Sequence, residues 1–465
     1  MKVSRFVFGL AVILSTALLA SCGGGTGVAP GVSQTLVNHL TEHGPAALPQ
    51  YFVEDLGTLG GAGGAGATAE AISNNGWIIG TSNLAGDTVN HSFVWRNGVM
   101  TDLGTLGGMN SNERGVLVSD RIGLVAGVSQ TPRVDPLGEY WGAFTFYCNN
   151  NGPCDGYKNV VRGFAHRNGA LVKLPTLGGN NGEAVGLNDR GQIVGYAEDR
   201  TPDYRCAPPQ ILDVEAVVWE PRSGDAERPY SAHALPPLAG DAVAMAGQIN
   251  DGGQVVGTSS PTCAELFSTL NTHNVLWDHG SVVNMGNLGG VCCNTPVDIN
   301  SGGEVVGYSG TAGNKTFHAF AWQKGHRMRD LGTLRNDKSS FGFGINDQGD
   351  IVGGSCGGTS FNFCTALIWR NGVMTDLNTR IKRGSAPLFL YFGNDINSEG
   401  EIAFYAFDPR KGEFRAAIGI PCDAEHARVK GCRNGLEGVD PVLERPRVVL
   451  PENLRAQFLR RVPLP

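Results

Sequence analysis

The sequence predicts an all-β chain closed into a seven-bladed β-propeller of four-stranded antiparallel blades, and three observations carry that prediction. The heptapeptide DLGTLGG stands at 55–61 and 102–108, then returns as KLPTLGG at 173, NMGNLGG at 284, DLGTLR at 330 and DLNTRI at 376. A second motif, INDGGQVVG in one of its plain forms, recurs with turn glycines at Gly76, Gly123, Gly191, Gly253, Gly303, Gly349 and Gly400. The steps are 47, 68, 62, 50, 46 and 51 residues, the size of a propeller blade. Composition agrees with one large β domain: glycine is 68 of 465 residues and charged residues are only 17%.

Residues 1–21 read as an export signal, because Lys2 and Arg5 precede an uncharged apolar run from Phe6 to Leu19 that is too short for a resident helix. The run ends in Leu19-Ala20-Ser21-Cys22, which resembles the lipobox of bacterial lipoproteins. That resemblance implies cleavage before Cys22, a diacylglyceryl thioether on its sulfur and an acylated amine. Several acyl chains anchor firmly where one is marginal. Gly23 in place of an aspartate implies transfer to the outer membrane of a Gram-negative envelope. Residues 22–50 form the lipidated cysteine and a Gly, Ala, Pro and Ser-rich stalk. Loss of residues 1–21 moves the net charge from −7 to −9, so nucleic acid is not the expected partner, and the membrane is met through the lipid alone.

Within the repeats, a third motif appears as HSFVWRNG at 91, RGFAHRNG at 162, EAVVWEP at 215, HNVLWDHG at 273, HAFAWQKG at 318 and TALIWRNG at 365. Alternating apolar residues mark strands, and NDxG and RNG mark hairpin turns. One unit therefore reads as strand A (AEAIS), strand B (WIIGTS), strand C (HSFVW) and strand D (VMTDLGTL). Taken together, the three motifs resemble the HAF family of bacterial extracellular repeats, whose triplet survives as His318-Ala319-Phe320. The resemblance covers about 370 residues, from Tyr51 to Ile420, and implies export and repetition. It brings no catalytic residues.

Seven A-B-C sets are present, yet no DLGTLGG follows the last, and one orphan D strand, YFVEDLGTLGG, precedes the first. The orphan is expected to close the ring as the outer strand of blade seven. The propeller then spans 51–420 and leaves a tail at 421–465. Its Gly-Gly should turn the chain inward with positive φ.

Propeller topology puts the D-to-A and B-to-C loops on one face and the tight turns on the other. Every long insertion, roughly 131–161, 197–213 and 259–272, falls on the first face, in blades two to four. Variable loops on a repeated scaffold are where binding resides. Ten cysteines follow Cys22, and export lets them oxidise. Cys148 with Cys154, Cys356 with Cys364, and Cys422 with Cys432 form local staples, while Cys206, Cys263, Cys292 and Cys293 allow three pairings. Their spacings do not make zinc knuckles, so no metal is expected. His91, His273 and His318 are expected to bond across blade faces. The tryptophans Trp95, Trp219, Trp277, Trp322 and Trp369 belong to the inter-blade core, and Asp347 belongs to an Asx turn, since the other carboxylates of a calcium loop are missing.

No nucleophile elbow, zinc-protease motif or phosphate loop occurs, and no cofactor is implied. Polar candidates near the axis are Glu113, Arg114, Asn181, Glu183, Asp241, Asn294, Lys338 and Asn394. The blade-two insertion concentrates Tyr140, Trp141, Phe144, Phe146, Tyr147 and Tyr157, which either face a glycan or peptide or extend strand C and pack on the next blade. Two functions fit: a non-enzymatic binding or scaffold module for a glycan or protein, or a glycan-directed hydrolase or lyase using the same face.

Overall fold

In the computed structural model the chain divides into two units, residues 1–48 and 49–465. The residues described are 48–61, 66–113, 115, 118–142, 146–148, 152–153, 156–224, 229–335, 337–357, 363–429 and 431–432. The predicted signal, Cys22, the stalk up to residue 47, Arg114 and the tail beyond 432 therefore lie outside them.

The second unit is a ring of seven antiparallel sheets, a seven-bladed β-propeller. Blade one shows the pattern: strand A Ala67–Ile72, B Ile78–Asn83, C Asn90–Arg96 and D Val99–Asp102. Blade two departs from it, because its inner strand is broken into Ser111–Asn112 and Val118–Ser119, both paired with Leu124–Val134. The predicted closure is present. Tyr51–Asp55 lies antiparallel on Glu413–Pro421, Tyr51 opposite Pro421 and Asp55 opposite Ala417. Arg415 fixes the joint with two bonds to Asp55 Oδ1, from Nε at 3.1 Å and Nη2 at 3.0 Å. The outer edge of this strand is also covered: the amides of Lys382 and Ala386 donate to the carbonyls of Tyr51 and Val53, both at 2.8 Å. An edge that would otherwise template aggregation is thereby blunted.

The structure gives the DLGTLGG residues separate duties. The aspartate oxygen accepts the amide of the glycine two residues on, 3.0 Å from Gly57 to Asp55 and 2.7 Å from Gly104 to Asp102. The second leucine amide donates across to a serine on strand B of the next blade: Leu59 to Ser82 and Leu106 to Ser129 at 2.9 Å, Leu288 to Ser309 and Leu334 to Ser355 at 3.0 Å. Only the first glycine of the pair needs positive φ, +109° at Gly60 and +92° at Gly107. The second is required by close approach, since a Cβ on Gly108 would fall 2.6 Å from the Gln130 backbone.

On the opposite, short-turn face, the NDxG asparagines form a chain of bonds from blade to blade. Asn188 Nδ2 donates to Asn250 O at 3.0 Å, Asn250 to Asn300 O at 3.0 Å, Asn300 to Asn346 O at 3.2 Å, Asn346 to Asn397 O at 3.1 Å and Asn397 to Ser73 O at 3.0 Å. Each Oδ1 meanwhile caps its own turn; Asn346 Oδ1 accepts from the amides of Gln348 at 3.2 Å and Asp350 at 2.9 Å. Asp347 works between blades, accepting from Ser301 N at 2.9 Å.

The core changes character around the ring. Blades one to four pack Val, Ile, Leu, Ala and a Trp on strand C of three of them, Trp95, Trp219 and Trp277. The insertion-side halves of blades five to seven hold a continuous aromatic cluster, including Tyr308, Phe341, Tyr391, Tyr405 and Phe414. Trp322 is buried as expected, and Trp369 is half-buried beneath the Arg329 guanidinium, 4.6 Å from its ring centroid.

Candidate binding face

All three insertions leave the same face and are built differently. Blade two prolongs strands B and C as Leu124–Val134 and Asn159–Arg167. Blade three does so as Ile193–Pro202 and Leu212–Pro221, and blade four carries a six-residue helix, Cys263–Ser268. That helix is started by Thr262, whose hydroxyl accepts Glu265 N at 3.2 Å while donating to the Glu265 carboxylate at 2.8 Å, a reciprocal cap. A disulfide between Cys206 and Cys263 ties the blade-three insertion to this helix. Cys356 pairs with Cys364 across strands B and C of blade six, and Cys422 pairs with Cys432. Cys292 and Cys293, both buried, take part in none of these three bridges. The side chains of Cys148 and Cys154 lie outside the described residues.

Between the first two insertions lies a knot of carboxylates. Glu139 is fully buried, and its Oε1 accepts from the amides of Ile211 and Leu212 at 2.8 Å and from Gln210 Nε2 at 3.1 Å. The same Gln210 nitrogen donates to Glu198 Oε1 at 3.1 Å, and Glu198 Oε2 accepts from the amides of Asn180 and Asn181 at 2.9 and 2.8 Å. Asp135 joins through Asn181 Nδ2 at 2.9 Å. Burial, reinforced by the charge of Glu198, pushes the Glu139 carboxyl up to about 7. Glu198 is raised as well, chiefly by burial. Trp141 Nε1 donates to Gln210 Oε1 at 2.8 Å, so its indole is part of this knot. Glu139 thus holds backbone of the second insertion in place, and Glu198 holds the D-to-A turn before strand A of blade three.

The other candidates divide by exposure. Asn181 Oδ1 accepts Val161 N at 2.9 Å and Asn294 Nδ2 donates to Thr272 O at 3.0 Å, so both fasten a D-to-A turn to the blade just completed. Glu183 is buried and accepts from Tyr196 OH at 2.6 Å. Glu113 is buried beside Ser92, and burial raises its carboxyl well above the usual range. Asp241 bonds His273 Nδ1 at 2.8 Å. Asn394 reaches Ala69 O at 2.7 Å, and Lys338 is exposed. Arg114, Phe144 and the side chain of Tyr147 lie outside the described residues. The histidines differ from expectation. His91 pairs with Asp102 at 2.8 Å and His318 with Asp330 at 2.9 Å, each inside its own blade, because the DLG aspartate stands next to strand C; His91 Nε2 also bonds Met109 O, in the turn to the next blade, at 3.2 Å. Only His273 bonds into the turn from the preceding blade. Among the described residues, no three His, Cys, Asp or Glu side chains group to hold a metal ion.

Sequence reasoning did not find the surface pattern itself. Eleven large hydrophobic side chains are exposed among the described residues, and nine stand on the insertion face. Val134, Leu137 and Tyr140 belong to the first insertion, Tyr204 and Ile211 to the second, Phe267 and Leu270 to the third, and Met109 and Val291 to D-to-A turns. Tyr204 is 96% exposed. Tyr140 meets Tyr157 edge-on with centroids 5.9 Å apart, and Lys158 Nζ lies 5.7 and 5.6 Å from the two rings. Phe146 and Trp141 are buried instead, packed with Val128, Val161 and Val214.

No protein-family description matches the chain, and no curated protein is similar to it. Solved structures with a similar course include the acylaminoacyl peptidase of Pyrococcus horikoshii, 13% identical with a TM-score of 0.42, covering 74% of this chain and 51% of that one. A puromycin-hydrolyzing peptidase of Mycobacterium tuberculosis is 10% identical with a TM-score of 0.46, covering 81% and 55%. A protein of unknown function from Dyadobacter fermentans is 12% identical with a TM-score of 0.33, covering 79% and 98%. The chain spans about half the length of the two peptidases.

Proposed function

We propose that this chain is an exported, lipid-anchored binding module whose insertion face docks a protein or a glycan. In this reading Cys22 carries the acyl chains, the mature chain stands at the outer membrane of the cell envelope, and the blades are HAF-type repeats. The observation that supports it is the concentration, among the described residues, of nine of eleven exposed large hydrophobics on one face, where solvated apolar groups of a repeated scaffold mark an interaction site. Tyr140, Tyr157 and Lys158 add rings with a polar rim, suited to sugar or peptide contact. The rival reading, a glycan-directed hydrolase or lyase, draws on the raised Glu139 beside Glu198. Full burial of Glu139 and its commitment to backbone amides weigh against it. The test is a screen of the full mature chain, with Cys22→Ala for solubility, against glycans and envelope proteins, reading both binding and turnover. Binding without turnover that is lost in a Tyr140→Ser, Tyr204→Ser double variant is the expected result. Turnover abolished by Glu139→Gln would overturn it.

A further inference from the structure

The turn between blades four and five, Gly289 to Asn294, holds two adjacent cysteines in an unusual setting. Cys292 and Cys293 are both buried, and their sulfurs stand 2.7 Å apart. That separation is well inside the contact distance of about 3.5–4.0 Å for unbonded heavy atoms and longer than the roughly 2.05 Å of a disulfide. Cys293 sits at φ +63°, a backbone region that residues other than glycine seldom adopt. Its amide donates to Thr269 O at 2.7 Å, and Asn314 Oδ1 accepts from the amides of Val291 at 2.9 Å and Cys292 at 3.4 Å. The turn is thus held from both sides, by the blade-four insertion and by blade five, with the two thiols turned toward each other.

We infer that Cys292 and Cys293 form a vicinal disulfide, and that this bond is the labile one of the set. The three other bridges show which chemistry suits the fold and occupy their six cysteines, while the 2.7 Å approach sets Cys292 and Cys293 against each other. The closing step is thiol–disulfide exchange with a disulfide-bearing oxidant. One thiolate attacks an oxidant sulfur to give a mixed disulfide, and the second thiolate displaces it. The two cysteines lose two electrons and two protons, and the oxidant leaves as a dithiol. Neighbouring Cα atoms are about 3.8 Å apart across a trans peptide, short of the usual span of about 4.4–6.8 Å for a disulfide. Such closure stores strain, and strained bridges are the first to be reduced. The separately placed Cys206–Cys263 bridge carries no such constraint.

The experiment uses the full exported chain, purified without reductant, unfolded in guanidinium so that burial shields nothing, alkylated, and mapped by peptide mass. The expected result is a peptide spanning Val291 to Asn294 that is two hydrogens lighter than its dithiol and carries no alkyl group, with Cys206–Cys263, Cys356–Cys364 and Cys422–Cys432 also closed. A graded glutathione series on the folded chain should then open the pair at a more oxidising ratio than any of those three. Alkylation of both cysteines while the other bridges are closed would overturn the inference, as would a link from either one to any other cysteine, Cys148 and Cys154 included. A chain with all bridges open would instead count against the export reading, and the same mapping after in vitro oxidation by oxidised glutathione would still decide the pair.

Discussion

The two faces of this propeller obey different rules. On the short-turn face, one asparagine per unit, from Asn188 to Asn397, bonds to the next blade in the same way five times over. On the insertion face each blade solves its own problem: a carboxylate knot in blades two and three, a disulfide between three and four, a capped helix in four. Repetition ties blade to blade on both faces, since the leucine-to-serine bond of the LGG turns recurs on the insertion side, and only the B-to-C loops there are free to vary. The short-turn face therefore carries stability, and the insertion face is where substitution should change partners.

The sharpest break in that division is at the ring's seam. Deleting Tyr51 to Gly61 removes the outer strand of blade seven with the buried Tyr51, Val53 and Leu56. At about 1.5–3 kcal/mol per large buried side chain, the loss is on the order of 5 kcal/mol or more, a large share of a typical domain's stability. Thermal unfolding should show a collapsed transition, whereas deleting residues 23–45 leaves it unmoved. Next are two glycines of the second DLGTLGG. Gly108→Ala drives a methyl into the Gln130 backbone and should cost about 3 kcal/mol. Gly104→Ala, at φ +72° with open space around it, should cost about 1 kcal/mol. Equal denaturant midpoints for these two variants would contradict the close-approach role.

Acidity sharpens the comparison from inside the ring. Asp395 and Asp298 lie on innermost strands and accept the amides of Ile72 at 2.8 Å and Ile345 at 2.9 Å, one blade onward. Burial holds Asp395 up to about 8, with the charge of Asp298 adding to it, and burial holds Asp298 up to about 6. An acid raised in the folded state binds its proton more tightly there than in the unfolded chain. Its contribution is complete below the ordinary carboxylate range and is lost as pH rises through about 6 and then 8. Melting temperature should fall by a few degrees between pH 5 and pH 9, and Asp395→Asn should flatten the slope. The smallest contrast sets the faces directly against each other. Asn346→Ala removes a bond to the next blade and the cap of its own turn, costing about 1–3 kcal/mol. Tyr204→Ser should change stability by less than about 0.5 kcal/mol while weakening ligand capture.

What could be read from the sequence follows the same division. The orphan strand was legible because a ring of repeats needs as many D strands as A strands, and YFVED supplied the missing one. Cys356 with Cys364 and Cys422 with Cys432 were legible from short loops. Cys206 with Cys263 was not, since it depends on how two insertions lean together. The knot of Asp135, Glu139, Glu198 and Gln210 left no periodic trace, because its members come from two unrelated loops. Asn181 and Asn294 stand in the sequence as polar candidates near the axis. They follow an LGG turn that bonds backward to the preceding blade, and that rule becomes visible only once the blades are side by side.

Closure by the opening strand also sets an order of events during synthesis. Tyr51–Asp55 is made before every other strand of the propeller, yet its ladder partner, Glu413–Pro421, comes about 360 residues later. Blades one to six can each assemble from neighbours in the chain, but the first strand must wait, unpaired, until nearly the whole domain has emerged. At elongation rates of roughly 5–20 residues per second, that wait lasts on the order of 20–70 seconds. A nascent or translocating chain spends that interval with an apolar strand uncovered, so the seam, rather than any single blade, is where a holding chaperone would be needed.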